Sequence, residues 1–173
     1  MEEVFLFLNK YTNIGYVNFC KIYEYLKKDI SKFFNLKKQD FINVGLSLKS
    51  INKIFENLKI YNFQEEKEEL DKYNIKICSI LDNNYPYLLK KIFDPPIMFY
   101  YVGQLNDGDN VAIVGSRKHT FYGEKVAKDF SLYLSDYFSI VSGFAYGIDS
   151  IAHEAAVSNK KRTIAVMGVG LDA

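Results

Sequence analysis

Residues 111–172 restrict the fold more than any other part of this sequence, because apolar runs and amphipathic segments alternate there with short glycine loops between them. Three apolar runs predict strands, at residues 111–114, 138–141 and 163–167. Residues 121–135 and 148–158 predict helices between them. This alternation predicts a parallel sheet of the α/β class, and the first run, apolar throughout, is typical of a strand buried on both faces.

Residues 1–74 predict a different domain, built from short helices. Apolar side chains recur near helical spacing through residues 3–59, and Ser47 is a candidate N-cap for a helix that runs to about residue 58. Helices this short are unstable alone, so we expect about four or five of them to pack as a bundle. The break at Ile14 and Gly15 is either a plain interhelical turn, which we favour, or a helix-hairpin-helix whose amides contact a DNA phosphate.

A connecting segment, residues 75–110, leads from the helical domain into the predicted sheet. Alternating apolar residues at 75–80 predict one strand, and residues 97–102 predict another. Residues 103–110 carry two glycines and two aspartates and form the best candidate linker. Residues 111–173 then form the third part, an α/β half-domain.

Arginine is scarce in this chain, although the chain is rich in basic residues. Of its 22 basic residues only Arg117 and Arg162 are arginines, and the net charge of +1 singles out no partner by itself. In a composition that favours lysine, an arginine indicates a need for its planar, bidentate fork. Arg117, in a glycine loop, is therefore a candidate anion-binding residue.

Nothing in the composition predicts a metal, a cofactor or a membrane segment. Cys20, Cys78 and the two histidines lack metal-ligand spacing, and both cysteines are expected to be buried free thiols. Neither the three-glycine dinucleotide fingerprint nor a phosphate-binding P-loop follows the first strand. The N-terminus is acidic, and no apolar run approaches the length of about 18 residues that suggests a membrane helix, so we expect a cytoplasmic protein.

Small residues end all three predicted strands. Ligands of open parallel sheets bind beyond the carboxyl ends of the strands, and two of these loops open into helices, whose N-termini favour anions. Two serine hydroxyls add donors, and Arg117 adds positive charge. We therefore predict a phosphate site where an anion approaches the backbone amides of these loops. The small residues are Gly115 and Ser116, Ser142 and Gly143, and Gly168 and Gly170.

Asp149 and His153 lie four residues apart and so share one face of the second predicted helix. They are either an acid/base pair near the ligand or a structural pair, with Asp149 capping the helix and His153 hydrogen-bonded beside it. We favour the structural interpretation, because no nucleophile is apparent in the sequence.

Several motifs follow one another along nearly the whole chain. They are Asp82, Tyr85-Pro86, Asp94-Pro95-Pro96, residues 111–117, Tyr122-Gly123, residues 142–149, Ala152-His153 and residues 163–172. Their order, after a small helical domain, resembles the DNA-processing protein A family (DprA, also called Smf). The resemblance implies a helical domain of the SAM/helix-hairpin-helix-like type, followed by part of a Rossmann-like doubly wound parallel sheet.

The resemblance also implies a function. Family members are bacterial cytoplasmic proteins that bind single-stranded DNA, protect incoming DNA in natural transformation and load the RecA recombinase. The family is not regarded as enzymatic, and we expect a homodimer in the full-length protein, without a catalytic residue, cofactor or bound metal. The residues expected to hold DNA phosphates are Gly115, Ser116, Arg117 and Lys118 in the first loop and Ser142, Gly143, Tyr146 and Gly147 in the second.

The sequence departs from the family pattern in two respects. Tyr146 stands where the family usually has arginine, which removes a charge but offers a ring on which a base can stack. The chain also ends about midway through the family's sheet, so we expect its last strand to be an exposed edge.

Two other functions remain open. Related Rossmann-like proteins hydrolyse nucleoside monophosphates, but they use a Gly-Gly-x-Gly-Thr loop and a glutamate, and this sequence lacks that loop. A nucleotide-binding sensor that has lost DNA binding is the other alternative, and Tyr146 and the near-neutral net charge favour it slightly.

Overall fold

The computed structural model describes residues 1–105 and 108–171. The middle of the predicted linker and Asp172, the end of the last motif, lie outside the described residues. The chain forms two compact units, Met1–Asn106 and Asp107–Ala173.

Short helices make up most of the first unit. Ser47 caps the fourth α-helix as predicted, because its hydroxyl accepts a hydrogen bond from the Ser50 amide at 3.2 Å. A 3₁₀ helix at Ile30–Asn35 separates the second and third α-helices. The α-helices are α1 (Glu2–Tyr11), α2 (Tyr16–Tyr25), α3 (Lys38–Val44), α4 (Leu48–Asn57) and α5 (Phe63–Lys72).

Phe7 lies at the centre of an aromatic cluster that holds these helices together. It is completely buried, and four rings contact it from the same α1 helix, the 3₁₀ helix and the segment before α5. Its ring centroid lies 5.1 to 6.0 Å from those of Tyr11, Phe33, Phe34 and Tyr61. Such aromatic pairs add stability beyond that of the buried area alone.

The segment after α5 joins this core. Strands β1 (Lys76–Ser79) and β2 (Met98–Tyr101) pair antiparallel, with Lys76 opposite Tyr101, and a short helix, α6 (Tyr87–Lys90), lies between them. Cys78 is buried in the same hydrophobic cluster as the helices. Residues 75–105 therefore pack with the helical part of the chain, whereas the sequence indicated only a connection to the sheet.

The second unit is a three-stranded parallel sheet with two helices, as the sequence predicts. The strand order is β3-β4-β5, and each strand pairs with the next one along the chain. Right-handed crossovers in this order place both helices on one face of the sheet. The elements are β3 (Asn110–Ala112), α7 (Phe121–Ser135), β4 (Ser139–Ser142), α8 (Ile148–Ser158) and β5 (Thr163–Ala165).

Only one face of this sheet is covered by helices within residues 108–171. Ile140 is buried against Ala152 and Ala156 of α8 on that face. On the other face the alternate residues remain open, and Val114 and Val166 are 69% and 63% exposed. The prediction that the first strand is buried on both faces is therefore wrong for this structure, because an apolar run does not reveal how many layers cover it.

We predict that Phe7→Ala lowers the free energy of unfolding by about 3–5 kcal/mol, because the cavity is surrounded by rings that cannot all relax into it. Chemical denaturation measures this change. Phe93→Ala is the matched control: Phe93 is fully exposed, so the same truncation should change stability by less than about 0.5 kcal/mol. Equal losses in the two variants would contradict the aromatic core described here.

Candidate nucleic-acid interface

The loops after β3 and β4 meet at the carboxyl edge of the sheet, and the start of α8 fixes their approach. The Ile148 amide donates to the Ser116 carbonyl at 3.3 Å. Gly147 has φ of 91°, and a Cβ there would lie 2.4 Å from the same Ser116 oxygen. Gly147 is thus needed for contact between the two loops, which is a structural role beside the phosphate role predicted for it.

The carboxylate of Asp149 binds the backbone of both loops. One oxygen accepts from the Gly115 amide at 3.4 Å, and the other accepts from the amides of Gly143 at 3.2 Å and Ala145 at 3.4 Å. Asp149 is buried. A Cβ on Gly143 would lie 2.8 Å from the carboxylate, so this position requires glycine.

This contact changes the interpretation of the predicted phosphate site. The amides of Gly115 and Gly143, which we expected to receive an external anion, already bind an internal one. Asp149 has the structural role that the sequence favoured, but it connects the two loops and does not cap its own helix. Its negative charge also opposes an anion at these amides. A polyanion at this edge would therefore have to be bound by side chains.

The two predicted serines use their hydroxyls within the protein. Ser142 is buried and donates to the Ile113 carbonyl at 2.6 Å, between neighbouring strands. Ser116 is exposed, but its hydroxyl donates to the Lys118 carbonyl at 2.9 Å and accepts from the Lys118 amide at 3.1 Å. Contrary to the prediction, the Ser142 hydroxyl is not offered to a ligand. Ser116 instead shapes the loop that carries Arg117 and Lys118.

Arg117 lies in a cleft with exposed aromatic rings. The cleft has a volume of about 560 Å³ and is lined by Arg117, Phe144, Ala145, Tyr146, Ser150, His153 and Glu154. The Arg117 side chain makes no ion pair or hydrogen bond with another described residue, and the Lys118 side chain is also exposed. Tyr146 is 85% exposed and Phe144 is 62% exposed. The structure thus brings two of the predicted residues, Arg117 and Tyr146, together beside an open cavity.

His153 is held in one tautomer. Its Nδ1 lies 2.6 Å from the Thr163 hydroxyl, which donates its own proton to the Ile140 carbonyl at 2.9 Å. Because that hydroxyl has one proton, we assign the hydrogen of the imidazole to Nδ1, which makes Nε2 an acceptor. Burial lowers the pKa of His153 below its usual value, although the Asp149 charge acts in the opposite direction. Burial thus favours the neutral form of the ring, which links α8 to the sheet and not to Asp149.

Sequence reasoning missed four residues of the cleft: Phe144, Ala145, Ser150 and Glu154. Ser150, His153 and Glu154 stand at i, i+3 and i+4, so they share one face of α8, and this spacing was visible in the sequence. Phe144 was visible as an aromatic residue within a glycine loop. It has a positive φ of 59°, which is uncommon for a side chain of this size.

In the third loop, after β5, the structure gives the surroundings of Gly168. A Cβ on Gly168 would meet no heavy atom within 4 Å. Across the described residues, no group of three or more His, Cys, Asp or Glu side chains is placed to hold a metal ion. None of the helices in residues 1–105 and 108–171 has the length and apolar character that crossing a membrane requires.

A parallel sheet with an arginine and exposed aromatic rings at its carboxyl edge defines an α/β protein with a cleft at the place where such sheets bind ligands. Comparison with known proteins identifies the family to which the chain belongs. The family described as DNA recombination-mediator protein A matches residues 76–173, more than half of the chain. The chain therefore belongs to the DNA-processing protein A family (DprA/Smf), which confirms the resemblance found in the sequence.

Individual relatives agree with this assignment. The protein Smf of Borreliella burgdorferi is 33% identical over 95% of this chain and 48% of its own length. The DNA processing protein DprA of Streptococcus pneumoniae is 45% identical over 54% of this chain and 34% of its own length. The X-ray structure of the Streptococcus pneumoniae DprA matches with a TM-score of 0.81 and 29% identity, covering 100% of this chain and 60% of that one. The chain thus spans 48% and 34% of the length of these two relatives and 60% of the chain in the solved structure.

We predict that Asp149→Asn lowers the free energy of unfolding by about 1.5–3 kcal/mol. The backbone amides of both loops would lose their charged acceptor. The side-chain NH2 group of the asparagine would also replace one acceptor oxygen, so a donor would face a backbone amide. Denaturant titration measures the change. Asp129→Asn on the exposed surface of α7 removes the same charge and should leave stability within about 0.5 kcal/mol of the original. Unchanged stability in Asp149→Asn would contradict the bridging role of this carboxylate.

Proposed function

We propose that this chain binds single-stranded DNA at the cleft beside Arg117. The observation that carries the proposal is the Arg117 guanidinium, which has no partner among residues 1–105 and 108–171 and lines one cleft with two exposed rings, Phe144 and Tyr146. A guanidinium binds phosphate bidentately, and exposed aromatic side chains stack on bases with little regard to sequence. This combination is typical of proteins that follow a single strand through its backbone and its bases.

Within this proposal the predicted site residues have different roles. Arg117 and Lys118 contact phosphates, and Tyr146 stacks on a base in the position where the family usually has a charge. Gly115, Ser116, Ser142, Gly143 and Gly147 hold the two loops in place and contact the strand at most through exposed backbone. Asp149 and His153 support this arrangement from within the protein.

Membership of the family extends the proposal beyond the cleft. We propose that the protein acts as a DNA recombination mediator, protecting incoming single strands in natural transformation and passing them to the RecA recombinase in the cytoplasm. The homodimer proposed for the full-length protein belongs to the same expectation. These roles concern the whole protein, and the chain spans only part of the length of its relatives.

We further propose that the protein acts by binding and not by catalysis. A nucleoside monophosphate hydrolase needs an activated carboxylate in its cleft. Asp149 accepts hydrogen bonds from three backbone amides, so it is not available as that carboxylate. Glu154 lines the cleft and would have to take the catalytic role in its place. A product assay with nucleoside monophosphates tests the enzymatic alternative, and release of a free base would contradict our proposal.

We predict that Arg117→Ala weakens binding of an oligonucleotide of about 20 nucleotides by about tenfold, whatever its sequence, because one charged hydrogen-bonding contact is lost. The slope of log affinity against log salt should fall by about 0.7, the value for one phosphate of a single strand. Fluorescence anisotropy over a salt series measures both quantities.

Lys59→Ala is the matched control for this variant. Lys59 is an exposed cation in the first unit, and its removal should leave both the affinity and the salt slope unchanged. If Arg117→Ala has the same affinity and the same salt slope as the unsubstituted protein, phosphate binding by Arg117 is refuted. A mononucleotide that binds as tightly as the long strand would favour the nucleotide sensor instead.

A further inference from the structure

One wall of the cleft presents only hydrogen-bond acceptors. It is the face of α8 formed by Ser150, His153 and Glu154. Ser150 donates its hydroxyl proton to the Ala145 carbonyl at 2.8 Å, so its oxygen has only lone pairs left to offer. His153 is bare at Nε2, and Glu154 is an exposed carboxylate. Three side chains of different chemistry therefore share one property: each accepts hydrogen bonds and none has a proton to donate.

The Nε2 atom of His153 is the most unusual of these acceptors. It is buried and has no hydrogen-bond partner among the described residues. A buried polar atom without a partner is costly, and such atoms in native structures call for an explanation. Its position on the wall of an open cleft indicates that a ligand provides the missing donor.

The ring of Phe144 contacts the ring of His153. Its ring lies 5.7 Å from the His153 ring in an edge-on arrangement, while most of its side chain remains exposed. A side chain with so much free surface can rotate without disturbing the core. Our inference requires that the Phe144 ring rotates so that a ligand can reach the Nε2 atom, and the same rotation would let the ring stack on the ligand.

We propose that this wall, formed by Ser150, His153 and Glu154, recognises the donor-bearing edge of a nucleobase, and that guanine is the base it prefers. The proposal rests on the proposed function, since it places a base of the bound single strand in the cleft. Guanine presents a ring N–H and an amino group side by side, which match a carboxylate and a neighbouring acceptor. Thymine presents a single ring N–H between two carbonyl oxygens, which would face acceptors without a proton to share.

The binding of a base in this pocket differs from sequence-tolerant stacking on Tyr146. Stacking is available to every base, because every base has a π-face. Hydrogen bonding at the acceptor wall depends on the base edge, so it adds a preference to an otherwise general affinity. Arg117 lines the same cleft and supplies the phosphate contact that all sequences share.

The test uses three oligonucleotides of about 20 nucleotides, a length that fills a typical single-strand site. The first contains only dT. The second carries isolated dG residues within dT, spaced so that no guanine quadruplex forms. In the third, deoxyinosine replaces each dG, which removes the amino group and keeps the ring N–H. We expect the dG strand to bind about five- to tenfold more tightly than the dT strand, which is the lower end of the discrimination that a bidentate base contact provides. The affinity of the inosine strand should lie between those of the other two.

Glu154→Gln separates the wall from the rest of the site. Glu154 is exposed, so the variant should fold, and one of its two acceptor oxygens becomes a donor. We expect the preference for dG over dT to disappear while the affinity for dT stays the same or rises slightly. His153→Phe, if it folds, should reduce the preference as well. Glu68→Gln, on exposed α5, removes the same charge elsewhere and should leave the preference intact.

The possible outcomes distinguish this inference from the proposed function. Equal binding of the dG, inosine and dT strands would overturn the base preference and leave single-strand binding in place. A dG preference that survives Glu154→Gln would also overturn it, because the wall would not be its source. Absence of binding to all three strands would overturn both proposals.

Discussion

The carboxylate of Asp149 is the contact on which the edge of the sheet depends. It reaches back from the first turn of α8 to amides in two loops that are separated by nearly thirty residues in the chain. By binding these amides it fixes the loops after β3 and β4 relative to each other and to the start of α8. The close packing of Gly147 on Ser116 and of Gly143 on Asp149 is possible only because no side chain intervenes.

This internal anion also decides how an external one can bind. Backbone amides at strand ends and helix N-termini are a common phosphate site. Here several of those amides are already bound to a carboxylate, and the Ile148 amide donates to a carbonyl. In the binding that we propose, the exposed cations of the first loop therefore provide the affinity for a polyanion. An arginine at position 117 fits this requirement, although nearly all other basic residues of the chain are lysines.

Much of the second unit could be predicted from the sequence. The bounds of α7 and α8 follow from apolar spacing and from flanking loop residues, and the three apolar runs mark the strands. The partners of buried polar groups could not be predicted. A carboxylate two residues into a helix is visible in the sequence, but the amides it reaches are set by the packing of loops from distant parts of the chain. The sequence also could not predict that only one face of the sheet is covered in the described residues, because Val114 is apolar whether or not a layer covers it.

The candidate site was found through its small residues, and its chemistry was then revised by the structure. Gly115 and Gly143 led to the prediction of a site at this edge of the sheet, and a Cβ at these positions would lie 2.7 and 2.8 Å from atoms of α8. Their spacing could not reveal that Ser150, His153 and Glu154 of α8 line the cleft. The antiparallel pairing of β1 with β2 was also missed, since it brings together segments about twenty residues apart that show no hairpin signal.

A titration of ¹⁵N-labelled protein with a dT strand of about 20 nucleotides, followed by amide chemical shifts, tests the central claim most directly. Our account predicts the largest changes at Arg117 and Lys118 and at residues 144–146, with only small changes in residues 1–105. The opposite pattern, with shifts concentrated in the first unit and the Arg117 loop unperturbed, would contradict binding at the edge of the sheet.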